Sequence, residues 1–142
     1  MKTPSTTSPL RLIQEELRSD PWKMLIACIL LNRTKIRQVR PAFHDIIEKW
    51  PSPERLAAAD HDEVRDVIRP LGFHNRRTQT LIEMSTQWAS GERDPRALKG
   101  VGRYALDSWR IFVEGECDVE VTDKELAKYV VWAKETHFGS GR

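Results

Sequence analysis

Two short segments of this chain carry residue types that could build a site. Leu98 to Ile111 reads LKGVGRYALDSWRI, with two glycines flanking a valine just ahead of a helical stretch. Glycine accepts the positive φ angles that a tight hairpin needs. Val101 can anchor the turn in a core. The N–H groups of the hairpin and of the first turn of the next helix then point toward an anion. Lys99, Gly100, Val101, Gly102 and Arg103 therefore form a candidate phosphate-binding set. A DNA phosphate suits it, because such contacts position a protein without reading sequence. A plain helix–helix turn is the competing reading. Twenty-one residues beyond Gly102, Val121-Thr122-Asp123-Lys124-Glu125-Leu126 sets an aspartate at the head of the last helix. The helix dipole favours an ionised carboxylate there. In isolation it reads as an ordinary helix-start aspartate. The hairpin upstream makes it a candidate catalytic group.

The elements that must position these residues are helical throughout, so the fold class is all-α. Leu10, Ile13 and Leu17 share a helical face, and Asp20 with Pro21 starts a second helix that is apolar on most sides through Leu31. Thr34 is placed to cap a third helix running to Lys49, although Pro41 suggests a start near Arg40. Ser52 and Asp60 head two short helices. Pro70-Leu71-Gly72-Phe73 is a turn, and Asn75 opens a helix to about Ala89 that Gly91 ends. After the glycine hairpin a helix runs from Arg103 to about Val113. Val119 to Val121 is the one β-like stretch, and Thr122 is placed to cap the final helix. The expected organisation is a flexible segment over 1–8, one domain over 9–138 with the hairpin unit at about 95–113, and a loose end over 139–142.

Composition narrows the class. With 142 residues, 39% hydrophobic and 31% charged, the chain fits one domain with one core. No apolar run reaches the roughly 18 residues of a membrane span, and the first residues lack a secretory signal's apolar stretch. The expected location is therefore not extracellular: nuclear in a eukaryote, otherwise cytoplasmic or on the nucleoid. Net charge is only +2, so nucleic-acid binding has to come from clustering of basic groups. Arg33, Lys35, Arg37 and Arg40 form one group, Arg69, Arg76 and Arg77 a second, and Lys99 with Arg103 a third. Any one of these clusters taken alone reads first as a solvated face. Two distant cysteines, Cys28 and Cys117, cannot make a four-cysteine metal or cluster site, and the four histidines lack ligand spacing. No metal and no cofactor is expected.

The hairpin followed at this distance by a helix-start aspartate resembles the helix–hairpin–helix (HhH-GPD) DNA glycosylase superfamily. The motif series is similar to the catalytic domain of its methyl-CpG-binding mismatch glycosylase branch. Those motifs are Ser8-Pro9, Gln14-Glu15, Asp20-Pro21-Trp22-Lys23, Leu31-Asn32-Arg33-Thr34, Pro70-Leu71-Gly72, Gly100-Val101-Gly102-Arg103-Tyr104, Asp107-Ser108-Trp109-Arg110-Ile111-Phe112 and Leu126-Ala127-Lys128-Tyr129. The similarity covers about residues 8–137. No methyl-CpG-binding domain is evident. The resemblance implies two helical lobes with a DNA-binding cleft between them, and a target nucleotide flipped out of the duplex.

It also implies roles. Asp123 aligns with the family's catalytic carboxylate. Tyr104 stands where bifunctional members carry a lysine nucleophile, so base removal without strand cleavage is expected. Leu12, Ile13, Gln14 and Tyr104 align with the pyrimidine pocket, with Leu12 and Ile13 equally readable as core. Arg33 aligns with the residue that fills the gap left by the flipped base. Leu71 and Phe73 could wedge the opposite strand, with burial the other reading of Phe73. Glu125 replaces a family lysine. The implied activity is excision of thymine or uracil mispaired with guanine, by a monomer acting on double-stranded DNA. A non-catalytic DNA-binding module, or a glycosylase for other damaged bases, are the alternatives.

Overall fold

The computed structural model describes residues 6–140, with side chains through residue 136. Among the described residues there are eight α-helices and no strand. They are α1 (Ile13–Leu17), α2 (Pro21–Leu31), α3 (Ile36–Lys49), α4 (Pro53–Ala57), α5 (His61–Ile68), α6 (His74–Ala89), α7 (Arg103–Ser108) and α8 (Lys124–Ser140). The all-α expectation therefore holds, and among the described residues no helix is long and apolar enough to cross a membrane.

α2 is the central element. The Asp20 carboxylate accepts a hydrogen bond from the Lys23 N–H at 3.2 Å, and Pro21 sits in the first turn. Every residue from Met24 to Leu30 is buried, along with Trp22, whose indole N–H donates to Ser85 Oγ on α6 at 3.0 Å. α1, α3, α6 and α7 all pack on α2. α3 to α6 form one lobe. In the other, α8 lies against the π-helical turn Trp109–Val113 that follows α7, through Tyr129 and Phe112, with ring centroids 4.7 Å apart. The Arg18 guanidinium of the α1 C-cap donates to the Tyr129 hydroxyl at 3.2 Å, tying α1 to the same lobe.

Several boundaries differ from the sequence reading, each for a physical reason. α3 begins at Ile36 and runs through Pro41, with no side-chain cap; Thr34 Oγ1 has no partner. Pro41 costs one bond, to the Arg37 carbonyl, and burial of Val39, Phe43 and Ile46 offsets it. α6 begins at His74, one residue early, behind Phe73 in a left-handed conformation. α7 ends in a π-helical turn, Trp109–Val113. Val119 to Val121 pairs with nothing and is not a strand.

The cap of α8 is Asp123 rather than Thr122: Asp123 Oδ2 accepts from the Leu126 N–H at 3.0 Å. The structured chain also starts before residue 9. Ser8 is buried, and both its N–H and its hydroxyl donate to the Glu15 carboxylate, at 2.6 and 2.8 Å. Residues 1–5 of the expected flexible segment, and 141–142 at the other end, lie outside the described residues.

Candidate active site

The start of α1, the turn between α2 and α3, α7 and the head of α8 enclose a cavity of about 590 Å³. That volume is typical of small-molecule sites, roughly 300–1,000 Å³. Its lining includes Leu12, Ile13, Gln14, Asn32, Arg33, Tyr104, Asp107, Asp123 and Glu125. Leu12, Ile13, Gln14, Tyr104 and Asp123, some of them over a hundred positions apart in the chain, thus line one cavity.

Each wall has a local cause. Glu15 is buried and accepts three hydrogen bonds, two from Ser8 and one from the Leu12 N–H at 2.7 Å. This carboxylate clamp fixes the first turn of α1, which carries Leu12, Ile13 and Gln14. Ile13 is 2% exposed, so it is core and cavity wall at once, while Leu12 is half-buried. Gln14 is also buried, and its Nε2 donates to the Tyr104 hydroxyl at 2.6 Å and to Ser108 Oγ at 3.3 Å. Among the described residues no hydrogen bond reaches Gln14 Oε1, which leaves an acceptor for the cavity. Asp123 is half-buried. Its Oδ2 serves the helix cap, and among the described residues nothing bonds Oδ1. Glu125 at the rim pairs with Lys128 at 3.3 Å.

Burial pushes the Cys28 thiol up to about 12; the Ser108 hydroxyl opposes the shift and the Asp123 charge adds to it. Burial likewise raises Tyr104 above the ordinary phenol value. Cys28 adds to that rise, the Gln14 hydrogen bond opposes it, and Asp123 and Glu125 add to it. Tyr104 is therefore a neutral hydrogen-bonding group at working pH. Both groups keep their protons in the folded state at pH values where the unfolded chain has released them. Their contribution to stability is complete below about pH 9 and declines as pH climbs from there toward 12. Denaturant unfolding at about pH 8 and about pH 10.5 should show that fall, and Cys28→Ala should remove part of it.

Beside the cavity lies a second groove of about 570 Å³, sharing Asn32, Arg33, Arg103 and Tyr104 with it and lined further by Phe73, Arg76, Arg77, Gly100 and Gly102. The glycine hairpin forms one edge. Only Gly100 has positive φ, at 78°; Gly102 is at −95°, so the expectation of two such glycines holds for one. A side chain at Gly102 would meet open space, which leaves that backbone approachable. Val101 is half-buried and packs on the core as expected.

The Gln87 side chain splints the hairpin, donating to the Ala97 carbonyl at 2.8 Å and accepting from the Lys99 N–H at 2.7 Å. The Lys99 N–H is thereby withdrawn from any phosphate. The Arg103 guanidinium is partly committed, to Asp107 at 3.2 Å and to the Glu120 carbonyl at 3.0 Å.

Arg33 is exposed, with φ of 64°, and lines both cavities. Phe73 is 62% exposed, which excludes the burial reading, whereas Leu71 is half-buried and lines neither cavity. Arg77, grouped above with a surface cluster, is 6% exposed. Gln87 is a site-building residue that the sequence reading does not name, and Glu15, Ser108 and Arg77 are ones to which it gives no part in building the site. Glu15 at the third position of α1 carries the local signature of a capping box, through the Leu12 N–H. Gln87, Arg77 and Ser108 carry none, because their partners lie ten or more residues away. Among the described residues no cluster suited to a metal ion occurs.

Comparisons with known proteins agree with this architecture. The chain is 33% identical over 135 residues to the methyl-CpG-binding domain protein 4-like protein of Arabidopsis thaliana, covering 90% of this chain and 30% of that protein. It is 39% identical over 94 residues to a thymine-DNA glycosylase of Aeropyrum pernix, covering 61% of this chain and 42% of the relative. It therefore spans less than half the length of either. A thermostable thymine-DNA glycosylase structure superposes with a TM-score of 0.62 at 25% identity, over 68% of this chain and 48% of that one. A trapped endonuclease III–DNA covalent intermediate shares the fold, with a TM-score of 0.65 at 19% identity, over 78% and 60%. A family model, described as the HhH-GPD superfamily base excision DNA repair protein, matches residues 26–138. The chain belongs to the HhH-GPD superfamily of base excision DNA repair proteins.

Proposed function

We propose that this protein is a monofunctional DNA glycosylase that hydrolyses the N-glycosidic bond of thymine or uracil mispaired with guanine. The observation that carries this reading is the free Asp123 oxygen at the wall of a base-sized cavity that also holds Gln14 and Tyr104. The names of the relatives, thymine-DNA glycosylase and thymine/uracil-DNA glycosylase, support the substrate class.

The chemistry follows from the groups present. A flipped pyrimidine enters the cavity, the more readily when its pairing is weak. Gln14 Oε1 offers an acceptor to a ring N–H, and the neutral Tyr104 hydroxyl a donor to a ring carbonyl. As the bond from C1′ to the base nitrogen breaks, its electron pair leaves with the base and positive charge develops on the sugar. The Asp123 carboxylate stabilises that charge and aligns the water that adds to C1′. The water gives up a proton as it adds, and the departing base anion takes up one, so that the products are the sugar hydroxyl and the neutral base. The hairpin from Gly100 to Arg103, with the Lys99 side chain rather than its backbone N–H, holds a flanking phosphate, and Arg33 and Phe73 occupy the opened stack. The active species is a monomer on duplex DNA.

Among the described residues no lysine lines the cavity. With Tyr104 in place of an amine, no Schiff base forms and the sugar–phosphate chain stays intact.

The test is base release from duplexes carrying G·T, G·U or a fully paired control, scored as alkali-labile sites. Product on both mismatches and little on the control is expected. Strands broken without alkali, or a protein–DNA adduct trapped by borohydride, would refute the monofunctional assignment. No alkali-labile product from any duplex would leave a DNA-binding module.

A further inference from the structure

Arg77 is a buried arginine between the two turns that face the groove. From α6 its Nη2 donates to the Asn32 carbonyl, immediately before Arg33. Its guanidinium carbon lies 5.7 Å from the centroid of the Phe73 ring, within cation–π range. Its Nη1 is buried with no partner. Both turns hold non-glycine residues at positive φ, Arg33 at 64° and Phe73 at 49°, a conformation that persists only where the surroundings impose it. A buried guanidinium with both N–H groups of its Nη1 unmet is a poor device for stability alone. What this one does is join two loops about forty residues apart in sequence, each presenting an exposed side chain to the same groove.

We propose that Arg77 is a positioning residue that couples the Arg33 turn to the Phe73 turn, so that the two side chains enter the base stack as one unit when a nucleotide is flipped. This rests on the glycosylase reading above. The coupling matters where flipping is costly and not where the target is already unpaired. The experiment compares single-turnover base release from a G·T duplex with release of the same thymine placed opposite an abasic residue.

Arg77→Met is expected to slow the G·T reaction about tenfold, the order of one lost charged hydrogen bond, and to leave the unpaired reaction within about twofold of wild type. Arg33→Ala added to Arg77→Met should cost less than the two separate losses combined, since both act on one unit. Arg77→Lys keeps the charge and a donor. It should show a smaller defect with the same substrate dependence, and it serves as the test if methionine disrupts the fold. Equal slowing on both substrates, or fully additive losses with Arg33→Ala, would overturn the coupling. A wild type inactive on both duplexes would refute the glycosylase reading and this proposal with it. A wild type active on both, with no substrate-dependent loss in the Arg77 variants, would refute the proposal alone.

Discussion

Asp123→Asn is expected to lower single-turnover base release by about 10²- to 10³-fold while duplex affinity and thermal stability stay near wild type. The separation is possible because the two carboxylate oxygens have different duties. Oδ2 caps α8 by accepting from the Leu126 N–H, and an asparagine carbonyl caps a helix start as well as aspartate does. The change therefore removes the charge and keeps the shape. Asp123→Ala would confound the two by also removing the cap. Activity retained in Asp123→Asn would mean that the cavity's other carboxylates, Asp107 or Glu125, do the work. Both are already engaged, Asp107 with Arg103 and Glu125 with Lys128.

Gly100→Ala is expected to destabilise the fold by about 2–4 kcal/mol, read as a lower denaturant midpoint with an unchanged slope. A Cβ at this position would stand 2.4 Å from Thr80 Cγ2 and 3.1 Å from two atoms of Ile29, on a backbone at φ of 78°. Both contacts are to side chains on packed helices, so relief requires Thr80 and Ile29 to turn away or the hairpin to lift off α2 and α6. Gly102→Ala is the informative companion. Its φ is −95° and no atom lies within 4 Å of the added carbon, so stability should hardly change. Binding to duplex DNA of any sequence should nevertheless weaken, because the added methyl occupies the space through which a phosphate reaches the hairpin. A Gly102→Ala protein that binds as wild type would place the DNA backbone elsewhere.

These two glycines show how far the sequence could be read. Two of them around a valine, with an aspartate twenty-one residues on, located the hairpin and the head of α8 because both signals are local. α2 was legible for the same reason: a capping aspartate, a first-turn proline and an unbroken apolar run are complete within twelve residues. What local patterns could not supply was which glycine is constrained, since Gly100 is fixed by Thr80 and Ile29 from other helices.

The start of α3 was misplaced because a proline's cost is local while the burial that offsets it is not. Thr122 and Asp123 are both residue types that cap well, and the sequence alone does not say which of the two the Leu126 N–H bonds. Arg77, in a run of polar residues, looks like surface. It is buried because its partner is the Asn32 carbonyl, 45 residues away. Ser108 reaches Gln14 across 94 residues.

The central claim is that the Asp123 charge meets positive charge developing on the sugar. Its most direct test is affinity for two duplexes with an abasic mimic at the flipped position, one a cationic pyrrolidine and the other a neutral tetrahydrofuran. The wild type should prefer the cation by at least about tenfold, and Asp123→Asn should bind the two alike. A wild type indifferent to the charge, or an asparagine variant that keeps the preference, would contradict the account.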